Sequence, residues 1–199
     1  MEPVTGFAEL GVPDALVRLL TSQGVTAPFP IQSATLPDSL AGRDVLGQGR
    51  TGSGKTLAFA LPLVARLAAS PKEPMRGRPR ALVLVPTREL ATQVAAVIEP
   101  LAAAFRMSTV TVFGGVGHGA QRKAFLSGVE IVVACPGRLL DHMQAGDVNL
   151  DRVEITVLDE ADHMADQGFL PTVKKILDKT PASGQRMLFS ATLAGGVDT

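Results

Sequence analysis

Tryptophan and tyrosine are absent from the sequence, and cysteine occurs once in 199 residues. The single cysteine, Cys135, excludes an internal disulfide and a cysteine-rich zinc site, and it is compatible with a reducing compartment. Eight phenylalanines are present, so few aromatic side chains are available for stacking on nucleic-acid bases. Net charge is absent as well, because 19 basic residues balance 19 acidic ones. A nucleic-acid site would therefore have to be a local patch.

Long hydrophobic runs and targeting signals are absent too. The apolar stretch 57–69 is interrupted by Ser70-Pro71 and is too short to span a bilayer. The N-terminus carries Glu2 and Pro3 and lacks the basic and apolar regions of a signal peptide. These absences predict a soluble, cytoplasmic protein with no membrane partner.

The chain does contain enough apolar residues, 46%, for a sizeable core in one domain. From residue 44 onward, short apolar runs alternate with helical patterns, which indicates a mostly parallel sheet with helices on both faces. The predicted strands are 44–47, 81–85, 108–112, 131–134, 155–159 and 185–190. The predicted helices are 14–22, one starting near Pro30, 55–69, 89–104, 119–127, 137–145 and 170–179. Pro37 is expected to bend or end the helix that contains it.

A glycine-rich segment lies between the first of these strands and the following helix. It comprises Gly49, Arg50, Thr51, Gly52, Ser53, Gly54, Lys55 and Thr56 and fits the phosphate-binding pattern G-x-x-x-x-G-K-[ST] without a mismatch. The glycines allow backbone N–H groups to form an anion-binding concavity, to which the helix beginning near Lys55 adds its positive end. Lys55 would reach the β- and γ-phosphates, and the Thr56 hydroxyl would bind magnesium. A plain glycine-rich turn is the alternative, but the flanking strand and helix favour the phosphate loop.

An acidic segment follows the predicted strand 155–159. Asp159 ends that strand, where doubly wound sheets bind ligands, and it would be the acidic partner that a phosphate loop needs for magnesium. Glu160 is placed to orient and deprotonate an attacking water. Alternatively, Asp159, Glu160 and Asp162 form an acidic strand end or a helix cap. The combination with a phosphate loop favours the catalytic interpretation.

These segments resemble the DEAD-box RNA helicases. Asp159-Glu160-Ala161-Asp162 spells the motif that names that family. The other family motifs correspond, in order, to Phe7 with residues 24–32 (the Q motif), 49–56 (motif I), 86–90, 114–115 and 135–138 (RNA-contact segments), and 190–192 (motif III). The resemblance covers nearly the whole chain. It implies a single RecA-like α/β domain over residues 1–199, with a Q-motif region in 1–40 and a phosphate-loop core in 41–199, and ATP and Mg²⁺ as cofactors.

The resemblance also assigns roles to Gln32 and Phe7. The Gln32 amide both donates and accepts, so it would pair with the edge of adenine and select ATP, and Phe7 would stack on the base. From the residues alone, a helix-surface glutamine and a core phenylalanine are equally compatible with the sequence.

The RNA contacts that the resemblance implies are Pro86, Thr87, Arg88, Gly114, Gly115, Pro136, Gly137 and Arg138. Thr87 and Arg88 follow a predicted strand and can face a phosphate chain. Gly114 and Gly115 allow close approach of a nucleic-acid backbone, and Arg138 adds positive charge. None of these residues is suited to reading bases, so contact with the RNA backbone independent of sequence is expected. The basic loop 70–80 could also touch nucleic acid, but an exposed, solvated loop is favoured.

In the family, the residues that correspond to Ser190 and Thr192 hydrogen-bond to the last aspartate of the DEAD motif, here Asp162. This contact would couple the nucleotide state to domain closure. A helix cap rich in serine and threonine is the alternative.

Three residues depart from the family pattern. Gly49 stands where alanine is usual and should loosen the phosphate loop slightly. Phe29 replaces threonine or serine before Pro30, and Cys135 replaces a threonine whose hydroxyl could bind phosphate. No histidine or basic partner is arranged around Cys135 in the sequence, so we do not interpret it as a nucleophile.

The family pattern also requires a second RecA-like domain whose arginines complete the ATP site, and the residues after Thr192 cannot supply it. We therefore expect the first of two domains, which binds nucleotide but is nearly inactive alone, since arginine fingers contribute roughly 10³–10⁵ in rate in related enzymes. The leading hypothesis is the ATP-binding domain of an RNA-dependent ATPase that unwinds RNA duplexes locally. An ATP-gated RNA clamp with little unwinding activity uses the same motifs. Phe7, Gln32 and Asp162 argue against a DNA helicase or another P-loop ATPase.

Overall fold

A computed structural model describes residues 6–50 and 52–192 of the chain. Its strands are β1 (Val45–Gln48), β2 (Ala81–Leu84), β3 (Thr109–Val112), β4 (Ile131–Ala134), β5 (Ile155–Leu158) and β6 (Gln185–Ser190). Its helices are α1 (Asp14–Ser22), α2 (Pro30–Leu40), α3 (Lys55–Ala69), α4 (Arg88–Ala103), α5 (His118–Leu126), α6 (Pro136–Gln144), α7 (Ala161–Asp166) and α8 (Leu170–Leu177). The six strands form one sheet in the order β1-β6-β5-β2-β4-β3, and every pairing is parallel.

The sheet separates two hydrophobic cores. Along β2, Ala81 and Val83 face the core that α1 to α4 cover, whereas Leu82 and Leu84 face the core beneath α5, α6, α7 and α8. Because both faces are covered, β2 and β4 are buried along their whole length and read as continuous apolar runs. The predicted α/β class, with a parallel sheet between two helical layers, is confirmed.

Helices α1 and α2 pack against the core on the side of the sheet that α3 and α4 cover. Phe7, Leu16 and Leu36 pack with residues of α3, including Phe59. The Gln185 amide at the start of β6 adds polar contacts, since its Nε2 donates to the carbonyls of Ser39 at 2.9 Å and Arg43 at 2.7 Å. Residues 6–40 therefore share one packing unit with the phosphate-loop core.

The strands agree closely with the sequence prediction, but two helical features do not. Of the two outcomes expected at Pro37, an end of the helix does not occur, because α2 continues to Leu40. The missing N–H of Pro37 leaves the Ser33 carbonyl without its usual helical donor, and both residues are exposed, so water can satisfy that carbonyl. Helix α7 was not predicted, because six residues are too few for a clear helical period. Helix α8 ends at Leu177, two residues before the predicted limit at 179.

The loop 70–80 is exposed over residues 70–76, as predicted, but its last residues are not. Arg80 is buried, 3% exposed, and its Nε donates to Glu154 at 2.6 Å. Lys72 pairs with the same carboxylate at 3.3 Å. These contacts lie before the amino end of β2, at the edge of the sheet opposite the loops that carry the motifs. None of the helices in 6–50 and 52–192 has both the length and the apolarity to cross a bilayer.

All the predicted motifs except the Q motif, which precedes β1, follow the carboxyl ends of strands. In the strand order, β1, β6 and β5 carry the phosphate loop, the 190–192 segment and the acidic segment, whereas β2, β4 and β3 carry the RNA-contact segments. One edge of the sheet is thus divided into two adjacent halves, and the division lies between β5 and β2.

Candidate functional site

The phosphate loop connects β1 to α3 through glycines in left-handed backbone. Gly52 and Gly54 have φ values of 82° and 81°, a region that side chains with a Cβ rarely adopt. Gly54 precedes α3 directly, and among the described residues no side chain caps this helix. The Ser53 hydroxyl is buried there and has no hydrogen-bond partner in the part of the chain that the structure describes. Uncapped N–H groups and an orphaned hydroxyl form an anion-binding end of a helix.

The remaining residues of the loop are placed as follows. Arg50 is exposed, and Thr56 is half-buried next to Lys55. Thr51 lies outside the described residues. Gly49 has a steric function that the sequence did not indicate, because a Cβ at this position would lie 2.6 Å from Ile31 Cδ1 and 2.7 Å from Ser53 Oγ. Gly49 therefore provides room for Ile31 rather than only loosening the loop.

Lys55, Asp159 and Glu160 form a buried ionic cluster. Lys55 Nζ lies 3.2 Å from Asp159 Oδ1 and 3.5 Å from Glu160 Oε1. The Lys55 side chain is 7% exposed and the Asp159 side chain is fully buried. Lys55 and Asp159 are far apart in the sequence, and they meet because β1 and β5 lie in the same half of the sheet.

Asp159 is electrostatically strained. Burial raises the pKa of its carboxyl group, and the Lys55 ammonium only partly opposes this effect. Among residues 6–50 and 52–192, neither carboxylate oxygen has a hydrogen-bond partner, and the Lys55 ammonium contributes an ion pair at 3.2 Å. A buried carboxylate with unsatisfied oxygens, 3.2 Å from the lysine that precedes Thr56 at the start of α3, fits a hard cation with oxygen ligands such as Mg²⁺. Thr56 and Asp159 are the residues that would hold it.

Glu160 occupies an unusual backbone position. Its φ of 53° places it in the left-handed region, where a non-glycine residue is strained, and such strain clusters at functional sites. Its second carboxylate oxygen lies 3.2 Å from His163 Nδ1. The amide of Gln167 contacts the other ring nitrogen at 2.7 Å. Sequence analysis missed His163, for which the three-residue spacing from Glu160 was the available signal.

The structure brings Asp162 together with Ser190 and Thr192. The Thr192 hydroxyl and backbone N–H each donate to Asp162 Oδ2 at 3.3 Å. Ser190 is fully buried, and its hydroxyl accepts from the Asp162 N–H at 3.3 Å. Burial alone would raise the pKa of the Asp162 carboxyl, but the nearby Ser190 hydroxyl and the donors from His163 and Thr192 lower it on balance.

Gln32 is buried and fully engaged with the protein. It is 1% exposed, its Oε1 accepts from the Phe29 N–H at 2.9 Å, and its Nε2 donates to the Gly54 carbonyl at 2.8 Å. The alternative of a helix-surface glutamine is therefore wrong. Gln32 ties the start of α2 to the phosphate loop, and adenine pairing stays a prediction that requires the amide to turn outward.

Phe7 is a core residue, as the alternative interpretation had it. Its ring is 3% exposed and packs in the core on the α1–α4 side, so base stacking would require it to leave that position. The exposed aromatic beside the phosphate loop is Phe29, which is 53% exposed. A Cβ built on Gly54 would lie 2.3 Å from Phe29 Cδ2. The ring of Phe29 thus covers the last glycine of the loop.

The other half of the sheet edge gathers two arginines around the paired glycines. Arg88 lies over the Phe113 ring at 5.1 Å, and a Cβ on Gly115 would lie 3.1 Å from Arg88 Nη1. Arg138 Nη1 donates to the Val116 carbonyl at 2.8 Å, on the other side of the glycine pair. Positive charge from two separate helices therefore converges on one loop with little side-chain bulk.

The other residues predicted to contact RNA have different exposures. Thr87 caps α4 by accepting from the Leu90 N–H at 3.2 Å. Pro86 and Pro136 are buried, so they shape the loops, whereas Gly137 is exposed. Burial, with Glu89 adding to it, raises the pKa of the Cys135 thiol to about 11. A thiol that stays protonated agrees with the prediction that Cys135 is not a nucleophile.

Comparison with known proteins relates this chain to a family of helicases. Residues 29–199 match the family description DEAD/DEAH box helicase. The chain is 45% identical over 199 residues to the chloroplastic DEAD-box ATP-dependent RNA helicase 3A of Zea mays, with 98% of this chain covered. It is 43% identical over 190 residues to the ATP-dependent RNA helicase DBP2 of Candida albicans, with 96% of this chain covered. It spans 26% and 34% of these two relatives.

A solved DEAD box protein from the hyperthermophile Methanococcus jannaschii has the same fold. The TM-score is 0.86 at 37% sequence identity, and the match covers 95% of this chain and 50% of that chain. The predicted RecA-like architecture is confirmed by this likeness. Because the family description matches 29–199 and the solved structure matches nearly the whole fold, the chain belongs to the DEAD/DEAH box helicase family.

Proposed function

We propose that this chain is the ATP-binding domain of an ATP-dependent RNA helicase, which hydrolyses ATP to drive local separation of RNA strands. The observation that carries the proposal is the buried cluster of Lys55, Asp159 and Glu160 beside the uncapped start of α3. A phosphate chain at this helix end would meet backbone N–H groups and the Lys55 ammonium. Magnesium held by Thr56 and Asp159 would neutralise part of the phosphate charge.

The ionic contacts suggest how Glu160, the proposed general base, is released from Lys55 for catalysis. Lys55 is shared between Asp159 and Glu160, and the phosphate oxygens of ATP would compete for its ammonium. When Lys55 turns toward them, Glu160 loses its cationic partner. Its carboxylate can then accept a proton from the attacking water. His163 on the other carboxylate oxygen keeps Glu160 oriented during this exchange.

RNA binding is proposed for the β2-β4-β3 half of the edge. Arg88 and Arg138 supply charge for phosphates, and Gly114-Gly115 allows the RNA backbone to approach the loop between them. Thr87 and Gly137 are the accessible residues of the adjoining loops, while Pro86 and Pro136 shape those loops from below. These groups recognise backbone rather than bases, so affinity should depend little on RNA sequence.

Coupling to a second RecA-like domain is proposed for the Asp162–Ser190–Thr192 contacts. The relatives from Zea mays and Candida albicans are three to four times longer than the matched segment, since it covers 26% and 34% of them. A second domain with the arginines that complete the ATP site agrees with that extra length. Alone, this chain should bind nucleotide and turn it over very slowly. A cytoplasmic location stays a prediction from the sequence.

The experiment that tests the proposal measures ATP turnover with and without single-stranded RNA. It compares the chain alone with the chain plus a second helicase domain from a relative added in trans. Glu160→Gln is the test variant, and Glu99→Gln, an exposed glutamate on α4, is the matched control. We expect ATP binding in every case and RNA-stimulated turnover only with the added domain, lost in Glu160→Gln but kept in Glu99→Gln.

Robust ATP turnover by the chain alone would contradict the proposal that a second domain is needed to complete the ATP site. Unchanged turnover in Glu160→Gln would contradict the assignment of the base. Long-lived RNA binding with little strand separation in the two-domain assembly would identify an RNA clamp instead of a helicase.

A further inference from the structure

A buried histidine lies directly behind the proposed RNA-contact loop. His142, on α6, is fully buried. Its Nδ1 lies 2.7 Å from Asp147 Oδ2, and its Nε2 lies 2.9 Å from Gln121 Oε1. Both ring nitrogens are therefore within hydrogen-bond distance of an oxygen atom.

The orientation of the Gln121 amide is determined by its other contacts. Gln121 Nε2 donates to the Phe113 carbonyl at 2.9 Å, and a carbonyl can only accept. Arg138 Nη1, which can only donate, lies 3.3 Å from Gln121 Oε1. Exchanging the amide N and O would place oxygen against oxygen at Phe113 and donor against donor at Arg138. The amide oxygen therefore faces His142.

The two oxygen atoms that face the ring nitrogens, Asp147 Oδ2 and Gln121 Oε1, both act as hydrogen-bond acceptors. The hydrogen bond from His142 lowers the pKa of Asp147, and Arg122, whose Nε is 3.1 Å from Asp147 Oδ1, lowers it further, so this carboxylate is ionised. An ionised carboxylate and an amide oxygen can only accept. A neutral imidazole carries one N–H and could satisfy only one of them. The arrangement consequently describes an imidazolium with protons on both nitrogens.

The other groups around the ring are compatible with that charge. The His118 ring meets His142 edge-on at 5.2 Å, and the Phe125 ring does so at 5.3 Å. Asp147 supplies the negative charge in direct contact. Arg122 contacts Asp147, and Arg138 contacts Gln121. As an imidazolium, His142 would form an ion pair with Asp147 between α6 and the loop that follows it.

We propose that His142 is a positioning residue for the RNA site, which as an imidazolium fixes Gln121 and through it Arg138 and the loop that begins at Phe113. Gln121 connects three parts of the site: the ring on α6, the carbonyl just before Gly114, and the Arg138 guanidinium. When Nε2 loses its proton, a nitrogen lone pair faces the Gln121 oxygen and the amide must move. The effect on RNA depends on the proposed function, whereas the charge of His142 does not.

Nuclear magnetic resonance tests the charge directly. The chain contains three histidines, so the ring nitrogens can be assigned with the variants His118→Gln and His142→Gln. Binding of a fluorescently labelled oligouridylate is then measured from pH 6 to 9 at constant ionic strength, because salt alone changes such affinities. Thermal unfolding and ATP binding confirm that each variant is folded.

We expect both nitrogens of His142 to be protonated wherever RNA binds tightly, and the RNA affinity to fall about tenfold over the pH range in which His142 loses a proton, the size of one hydrogen bond to a charged group. His142→Gln should bind about tenfold more weakly at low pH and show no such dependence. His118→Gln, which removes the exposed neighbouring ring, should keep the dependence.

A neutral His142 at the pH of tightest binding would overturn the proposal, and so would a pH dependence that persists in His142→Gln. Arg138→Ala separates this result from failure of the proposed function. If Arg138→Ala binds RNA as tightly as the unchanged chain, the RNA site and the positioning role are both wrong, while the resonance data still report the charge of His142.

Discussion

Replacing Gly49 by alanine tests whether the phosphate loop is fitted to Ile31. The new Cβ would lie 2.6 Å from Ile31 Cδ1, well inside van der Waals contact. Overpacking of this kind costs about 1–3 kcal/mol. Replacing glycine also restricts the unfolded chain, which stabilises by about 0.4–1 kcal/mol where the backbone allows it. We therefore expect Gly49→Ala to lower the free energy of unfolding by about 1 kcal/mol net.

Ile31→Val removes one of the two atoms that collide; the other, Ser53 Oγ at 2.7 Å, ends a short side chain that can rotate about its Cα–Cβ bond. Alone, this change should cost about 0.5–1.5 kcal/mol, because Ile31 is 8% exposed and packs in the core. In the double variant the alanine Cβ occupies the space that the methyl left. The two effects should therefore not add, and the double variant should be about 1 kcal/mol more stable than their sum.

Urea denaturation of the four proteins measures this coupling. Ile98→Val is the matched control, since Ile98 is fully buried on α4 and belongs to the same core without lying at the phosphate loop. Its effect should add to that of Gly49→Ala. ATP affinity should fall in Gly49→Ala and recover in the double variant with Ile31→Val. Additive effects of Gly49→Ala and Ile31→Val would refute the steric explanation.

Three further predictions concern individual charged or titrating groups. The pKa of the Cys135 thiol is raised from 9.0 to about 11, so its thiolate fraction at pH 7.5 is about 100-fold smaller than that of an exposed cysteine, and its reaction with a thiol reagent should be slower by about that factor. A comparable rate would contradict the effect of burial. Arg80→Ala should cost on the order of 3 kcal/mol in urea denaturation, because it empties the buried Arg80 site, removes the donor to the Leu67 and Ser70 carbonyls and leaves Glu154 with the exposed Lys72 as its partner. Lys72→Ala, at the same carboxylate but on an exposed side chain, should cost less than about 1 kcal/mol. Equal losses would show that burial does not distinguish these pairs. The pKa of Asp162 is lower in the folded state, so its contribution to stability is present above the unfolded-state pKa and is lost as the pH falls through the folded-state pKa. In Asp162→Asn, the free energy of unfolding should therefore decrease less steeply at acid pH. An unchanged decrease would contradict the assigned hydrogen bonds.

The fold and the contact between Lys55 and Asp159 were predictable because their signals are local. Fully apolar runs such as 131–134 indicate strands covered on both faces, and the glycine-rich segment before Lys55 specifies its own backbone shape. Parallel strands bring their carboxyl ends to one edge, so Asp159 could be placed near Lys55 although the sequence separates them widely.

Features that depend on contacts distant in sequence could not be predicted. A phenylalanine such as Phe7 is equally suited to a core and to a base, and only the packing of α1 to α4 decides. Arg80 looked like a member of an exposed basic loop, since nothing in the sequence shows that Glu154 faces it. The network of His142, Gln121 and Asp147 joins three segments whose polar residues form no recognisable motif.

The division of the sheet edge between β5 and β2 has a consequence for how the two ligands would sense each other. The Asp159 N–H donates to the Leu84 carbonyl at 2.9 Å, and Leu84 is two residues before Pro86. Adjacent strands lie about 4.8 Å apart, so Asp159, the proposed magnesium ligand, and the first loop proposed to contact RNA are neighbours across one strand spacing. The two strands pair in parallel over four residues each, so a displacement of the β5 end would be passed to the β2 end through the backbone hydrogen bonds of this ladder. With the two sites placed as proposed, coupling between ATP and RNA needs no helix between them.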